Sequence, residues 1–335
     1  MRKIKEETTT VVDAGARYGM HPSWREFGGD LIYFAFEPDA REAKRLRKRQ
    51  QAKSFKVIGC ALDEKSGERE LFITNHRGYC SFLKPDPRSE WFKRFRPGEG
   101  KLEGTRRVKT VAIDHFAKSR GSNLDFLKVD VEGADLHVLR GGAHQISTNV
   151  LGIRVGVYFQ ACYQNQCFFS EIHQFLIEKD FFLLNFDYFG KGVSRNSLFR
   201  NPDPLSDDHL RYGTLISCDG VWLKKYDSLC RKWNEDRRKL VFATLKYAYF
   251  CLLNHAPDVA MDTLIDFVEN RHGVFDAVVR QSKLYLALRR ACAQFLGRWR
   301  VYPDFQWKTV RSMFKTVFNL ELKSGSDYWE MIQSL

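Results

Sequence analysis

Apolar residues in the first two thirds of the chain fall in short β-branched and aromatic runs separated by amphipathic stretches. This alternation predicts parallel strands joined by crossover helices, an α/β fold. Strands are expected at residues 10–14, 31–36, 55–61, 124–129 and 151–159, with later ones at 181–187 and 214–223. Helices are expected at 39–50, opened by Asp39 as an N-cap, at 134–146 and at 168–179. Two further segments, 70–74 and 107–113, read as inserted β structure around a loop holding Pro85, Pro87 and Pro97. From about residue 226 the period changes. Apolar positions then recur at helical spacing through 240–253, 259–268, 277–295 and 310–318. The expected organisation is a doubly wound α/β domain over 1–225, followed by a helical C-terminal extension over 226–335.

One stretch in the first expected strand carries chemistry. TTTVVDAGARYGM ends a β-branched run at Asp13 and continues with Gly15 and Gly19, and the next strand ends in Glu37. A glycine turn after one strand and an acidic residue at the end of the next form a nucleotide-binding βαβ unit. The acid can accept hydrogen bonds from both ribose hydroxyls. A dinucleotide site needs Gly-x-Gly-x-x-Gly, but Arg17 stands at its second glycine and Asp13 opens the motif. A carboxylate there would repel a pyrophosphate and attract a sulfonium and an ammonium. Charge therefore favours S-adenosylmethionine over NAD. Alternatively, an ordinary strand-to-helix turn would leave Glu37 as a surface residue ahead of Pro38 and Arg17 as a solvated charge.

Three blocks resemble the FkbM family of methyltransferases. They are VVDAGARYG with FEPDA; VKTVAIDHF with LDFLKVDVEGADLHVLRGG; and VYFQACYQNQCFFSEIHQFLIEKDFFLL, which GTLISCDGVWLKK closes. The resemblance runs from about Val11 to Lys225 and implies a class I, Rossmann-like methyltransferase fold. It implies that Asp13, Gly15, Ala16 and Gly19 line the cofactor and that Glu37 takes the ribose. Ala61, Leu62 and Asp63 sit where such folds contact adenine. Three positions depart from the family pattern: Arg17 replaces its asparagine, Gly156 its fifth-strand acid, and Gln160-Ala161 its Arg-Pro.

Composition narrows the partners. The 335 residues carry a net charge of +13 and a pI near 9.3, a balance suited to an anionic partner or surface. The densest basic run, 41–53, lacks the interleaved aromatic residues of a base-stacking groove and reads as a solvated helix face, so no nucleic-acid partner is expected. The resemblance implies a small-molecule or glycan acceptor instead. The eight cysteines form no Cys-x-x-Cys pair and no zinc spacing, as befits free thiols in a reducing, cytoplasmic setting. The opening MRKIKEETTT has no apolar signal core. The most apolar run, 240–253, is too short to span a membrane and contains Lys246.

Methyl transfer to an alcohol requires a general base, or a divalent metal that acidifies the hydroxyl. Asp130, at the C-terminal rim of its strand, and Glu132, at the start of the next helix, are the candidate base or metal ligands. Lys128, two residues before Asp130, points the same way and would orient it. A purely structural reading makes Lys128–Asp130 an ion pair and gives Glu132 to the helix N-terminus. His76 is a second candidate base, and Tyr163 and Gln164 are candidate substrate contacts. The O-methyl assignment comes from the resemblance. Two other readings stay open: a non-catalytic binding protein with a decayed methyltransferase fold, and an RNA methyltransferase.

Overall fold

The computed structural model describes residues 8–20, 24, 30–49, 54–192, 214–298, 311–312 and 314–321. It divides into two compact units. One comprises Thr10–Met20 and Tyr33–Lys224; the other comprises Met1–Thr9, His21–Ile32 and Lys225–Leu335.

The first unit is built on a seven-stranded sheet. Its strands are β1 (Thr9–Ala14), β2 (Leu31–Phe36), β3 (Phe55–Ile58), β7 (Phe126–Val129), β8 (Gly152–Tyr158), β9 (Phe181–Gly192) and β10 (Thr214–Lys224). They lie in the order β3-β2-β1-β7-β8-β10-β9. β1 and β8 each pair in parallel with β7, and β3 pairs in parallel with β2. β10 runs antiparallel to both β8 and β9. This is the expected class I arrangement: a doubly wound sheet with one reversed strand. Every residue of β1 is buried, as is every residue of β8 except Tyr158. Burial on both faces explains why these strands read as continuous apolar runs rather than alternating ones.

The helices on this sheet are α1 (Ala40–Arg49), α2 (Ile113–Arg120), α3 (Asp135–Gly141), α4 (Ala143–Thr148) and α5 (Phe169–Ile177). Asp39 caps α1 as expected, its carboxylate accepting the N–H groups of Arg41 and Glu42. The single helix expected at 134–146 is two. At Gly141 a Cβ would sit 2.2 Å from the Asp63 carbonyl, so the chain bends there, and Asp114 caps the start of α4 through His144 and Gln145. α2 begins where an inserted strand was expected to end.

A smaller sheet, in the order β4-β6-β5, is made by β4 (Ala61–Leu62), β5 (Gly67–Thr74) and β6 (Leu102–Val111). The strand expected at 55–61 breaks at Gly59–Cys60, so Ala61 and Leu62 leave the main sheet and pair with Thr110 and Val111. The small sheet packs through Leu71, Phe82, Leu83, Trp91 and Val108 onto Ala134, Tyr163 and Ile216.

The described residues of the second unit after Lys225 are mostly helical. Its helices are α6 (Tyr226–Lys232), α7 (Arg237–Leu253), α8 (Pro257–Glu269), α9 (Ala277–Arg280) and α10 (Lys283–Arg298); residues 311–312 and 314–318 are also helical. α7 is buried on all sides from Leu240 to Leu252 and forms the core of this unit. The charge that interrupts its apolar run is satisfied: Lys246 donates to the Thr8 carbonyl at 2.8 Å. Among the described residues, no helix is long and apolar enough to cross a membrane.

Gly15 fixes how closely β1 and β7 approach at their C-terminal ends. Its φ is +84°, and a Cβ there would lie 2.0 Å from the Asp130 carbonyl oxygen. Gly15→Ala is therefore expected to cost more than about 3 kcal/mol, from clash and left-handed strain together. Gly98→Ala, at φ +83° with nothing within 4 Å, should cost only the conformational part, about 1–2 kcal/mol. Equilibrium denaturation of the two variants measures the difference.

Candidate active site

The C-terminal ends of β1, β2 and β7 border a cleft open to solvent. Gly15 and Glu37 line it from the first two strands, and Asp130, Val131 and Glu132 from the segment after β7. Ala61 and Leu62 line it from β4; Leu71, Ile73, Cys80 and Phe82 add apolar surface, and Arg17 and Tyr18 also line it.

The glycine turn is locked to the neighbouring strand, since the N–H groups of Gly15 and Ala16 both donate to the Phe36 carbonyl, at 3.3 and 3.1 Å. Gly19, at φ +89°, closes the turn by donating to the Ala16 carbonyl. Glu37 follows β2. Its Oε1 accepts the Asp39 N–H at 2.8 Å, which orients the carboxylate. Burial pushes this carboxyl up to about 7, against the lowering effect of that bond and of Arg17.

Asp13 lies beneath the turn rather than in the cleft. It is fully buried, with Tyr33 donating to one oxygen at 2.6 Å and the Lys128 ammonium 3.4 Å from the other. Lys128 also stands 3.3 Å from Asp130. Burial alone would lower this ammonium, but the carboxylates of Asp13, Asp130 and Asp219 outweigh it and raise it instead. Asp219 is an acid that sequence reasoning missed. It faces Gly156 across β8 and β10 and pairs with the buried Arg154. A Cβ at Gly156 would approach Asp130 to 3.2 Å, so the acid missing from the fifth strand has a counterpart on the adjacent one.

Glu132 adopts a left-handed backbone, φ +58°, which is uncommon for a residue other than glycine. The chain holds it there from several sides. Ser81 donates its hydroxyl to the Glu132 carbonyl at 2.7 Å. The buried Asp135 accepts the N–H groups of Val131 and Gly133, each at 2.9 Å. Tyr158 and Tyr163 both donate to Glu132 Oε2, at 2.5 and 2.9 Å. Burial raises the Glu132 carboxyl to about 8, with a further push from Asp130. Asp135 rises to about 7, chiefly through burial.

The remaining expected site residues fall elsewhere. Asp63 does not line the cleft; both its carboxylate oxygens accept from one Arg69 guanidinium nitrogen, Nη1, at 2.7 and 2.8 Å, and it stands near His137. Tyr163 is only 2 % exposed and spends its hydroxyl on Glu132, so it meets no substrate in this arrangement. His76 packs on Tyr79 outside the lining, and Gln164 is exposed on its loop. Among the described residues, no group of three or more His, Cys, Asp or Glu side chains is placed to hold a metal ion. Asp135 had no sequence signal beyond its place beside the LKVDVEG block, and Ser81 and Tyr158, distant from it in sequence, had none.

The family model described as "Methyltransferase FkbM domain" matches residues 13–183, just over half of the chain. The chain belongs to the FkbM methyltransferase family. No curated protein sequence matches it significantly. Similar solved structures include the magnesium protoporphyrin IX methyltransferase of Synechocystis PCC 6803, at 10% identity, covering 66% of this chain and 72% of that one, with a TM-score of 0.33. A SAM-dependent methyltransferase from Anabaena variabilis shares 8% identity over 66% of this chain and 79% of its own, TM-score 0.31. TrmK of M. capricolum, solved with S-adenosyl-homocysteine, shares 8% over 86% and 91%, TM-score 0.29. These likenesses are slight, and membership of the FkbM family rests on the family model.

In this FkbM domain the Lys128 ammonium neutralises carboxylates that burial would otherwise make costly. Lys128→Met should destabilise the unit by about 3–5 kcal/mol. Asp13 already has a raised proton affinity in the folded state. Without the cation, the folded protein should bind its proton more tightly still, so the deficit should grow as pH rises and shrink as pH falls. Denaturant titrations of Lys128→Met and of Lys128→Met/Asp13→Asn, at acidic and at neutral pH, measure this. The double variant should recover part of the loss.

Proposed function

We propose that this protein transfers a methyl group from S-adenosylmethionine to a hydroxyl of a small-molecule or glycan acceptor. The observation that carries this reading is the presence in one cleft of a buried, oriented Glu37 at the end of β2 and a strained, half-buried Glu132 beyond β7. The residues fit the cofactor. Glu37 has the position and burial to accept hydrogen bonds from both ribose hydroxyls, and Ala61, Leu62, Leu71 and Phe82 offer apolar surface to an adenine. Asp130 and Glu132 suit a sulfonium and an ammonium, where a pyrophosphate would be repelled.

The methyl donor supplies an electrophilic methyl group and leaves as a neutral thioether. The protein's part is to align the acceptor oxygen with that methyl and to take the proton. Glu132 is the general base. As the new O–CH₃ bond forms and the S–CH₃ bond breaks, the hydroxyl proton passes to its carboxylate. A base with a proton affinity near the working pH is well matched to this transfer. Asp130, held by Lys128, is the more exposed carboxylate and orients the reacting groups.

Two measurements test the reading. Isothermal titration with S-adenosylhomocysteine should give micromolar binding, at least about tenfold weaker in Glu37→Ala, the loss of two hydrogen bonds to a charged acceptor. Because Glu37 titrates at about 7 and its carboxylate form grips the ribose, wild-type affinity should rise between about pH 6 and about pH 8. Glu37→Gln should flatten that rise. No heat with wild-type protein would end the assignment. Transfer of a labelled methyl group from S-adenosylmethionine into an extract of the source cells should fall about 10²–10⁴-fold in Glu132→Gln. Label is expected in the glycan or small-molecule fraction; label confined to RNA would replace the acceptor class.

A further inference from the structure

The Glu132 side chain is held by two tyrosines that do not line the cleft. Tyr158 ends β8, and Tyr163 sits on the loop that follows. That loop is fixed from below: Gln166 Oε1 accepts the N–H groups of Cys162 and Tyr163, both at 2.7 Å. The Asp86 N–H donates to the Cys162 carbonyl at 2.9 Å. Gly133 lets the loop approach, since a Cβ there would lie 3.1 Å from the Tyr163 ring. The two phenol rings meet edge to face, with centroids 6.0 Å apart.

Both hydroxyls converge on the same oxygen, Oε2. The Tyr163 hydroxyl also lies 3.2 Å from the Tyr79 carbonyl, but its one proton goes to the nearer and stronger acceptor, the carboxylate. Burial and the adjacent carboxylate hold both phenols well above their ordinary range, so both remain donors. Oε1 takes part in none of the hydrogen bonds of this side chain among the described residues. A carboxylate with one oxygen doubly saturated and the other unengaged has a single atom left for chemistry.

We propose that Tyr158 and Tyr163 are positioning residues that saturate Glu132 Oε2 and leave Oε1 as the proton-accepting atom in the cleft. This rests on the assignment of Glu132 as base. Two O–H donors stabilise the charged carboxylate and oppose the burial that would otherwise keep it protonated. The left-handed backbone of Glu132, clamped by Ser81 and Asp135, sets the angle at which the side chain meets the tyrosines. A strained residue persists where its surroundings over-determine it, and Glu132 is such a residue.

The test needs no acceptor. Infrared difference spectra of the whole protein, saturated with S-adenosylhomocysteine, are recorded across pH. The protonated-carboxyl band that Glu132→Gln abolishes is assigned to Glu132. In wild type this band should titrate away near the value of about 8 that the site imposes. In Tyr158→Phe and in Tyr163→Phe its midpoint should move up by about one pH unit each, and further in the double variant, as each loses a charge-assisted donor. Unchanged S-adenosylhomocysteine affinity and melting temperature in the single variants would show that the fold and cofactor site are intact. A midpoint that stays put in both phenylalanine variants, with folding intact, overturns the clamp. Should one phenylalanine variant fail to fold, the other reports the same upward shift on its own, since each removes one of the two donors to Oε2. If Glu132→Gln still transfers the methyl label at the wild-type rate, the base assignment fails on its own account, whatever the infrared titration shows.

Discussion

The buried ammonium of Lys128 is the interaction on which the rest of the site depends. It lies between Asp13 at the end of β1 and Asp130 just past the end of β7, with the charge of Asp219 on β10 felt nearby. Carboxylates brought together at one rim of a parallel sheet would repel one another and resist burial. One cation that is itself buried lets them stay ionised and close. Asp13, which seemed from its place in the motif to face the cofactor, instead anchors this cation with the help of Tyr33. Its influence on a bound sulfonium would be through the field of the cluster rather than by contact.

Around that anchor the fold spends conformational strain where the chemistry is. Gly15 and Gly133 both take left-handed backbone; a Cβ at Gly15 would collide with the Asp130 carbonyl, and one at Gly133 would crowd the Tyr163 ring. Glu132 takes the same conformation without being glycine, which is costly unless its side chain is needed. The small β4-β6-β5 sheet then supplies apolar surface to the cleft, and Ser81, in the segment between β5 and β6, supplies one of the contacts that hold Glu132 in place. The inserted β structure is thus part of the site.

The strand positions were legible because strands buried on both faces read as unbroken apolar runs, and the helical tail because the periodicity changes near residue 226. The glycine turn, Glu37 and the Asp130–Glu132 segment were legible because they lie at strand ends, where ligands meet open sheets. Breaks in elements were harder to see. Gly59 and Gly142 punctuate segments whose apolar pattern continues across them, and the cause in each case is tertiary: a strand changing sheets, and a helix bending around Asp63 and Ile113. Partners distant in sequence were hidden for the same reason. Nothing local marks Asp219 as facing Gly156, Arg69 as claiming Asp63, or Tyr158 and Tyr163 as sharing one oxygen of Glu132.

The most direct measurement is a crystal structure of the protein grown with saturating S-adenosylhomocysteine. The account predicts both ribose hydroxyls on the Glu37 carboxylate, the adenine against Leu62 and Phe82, and the sulfur facing Asp130 and Glu132. Ligand bound away from the β1 and β2 ends, or a cleft closed by the protein's own side chains while ligand is in excess, would contradict it.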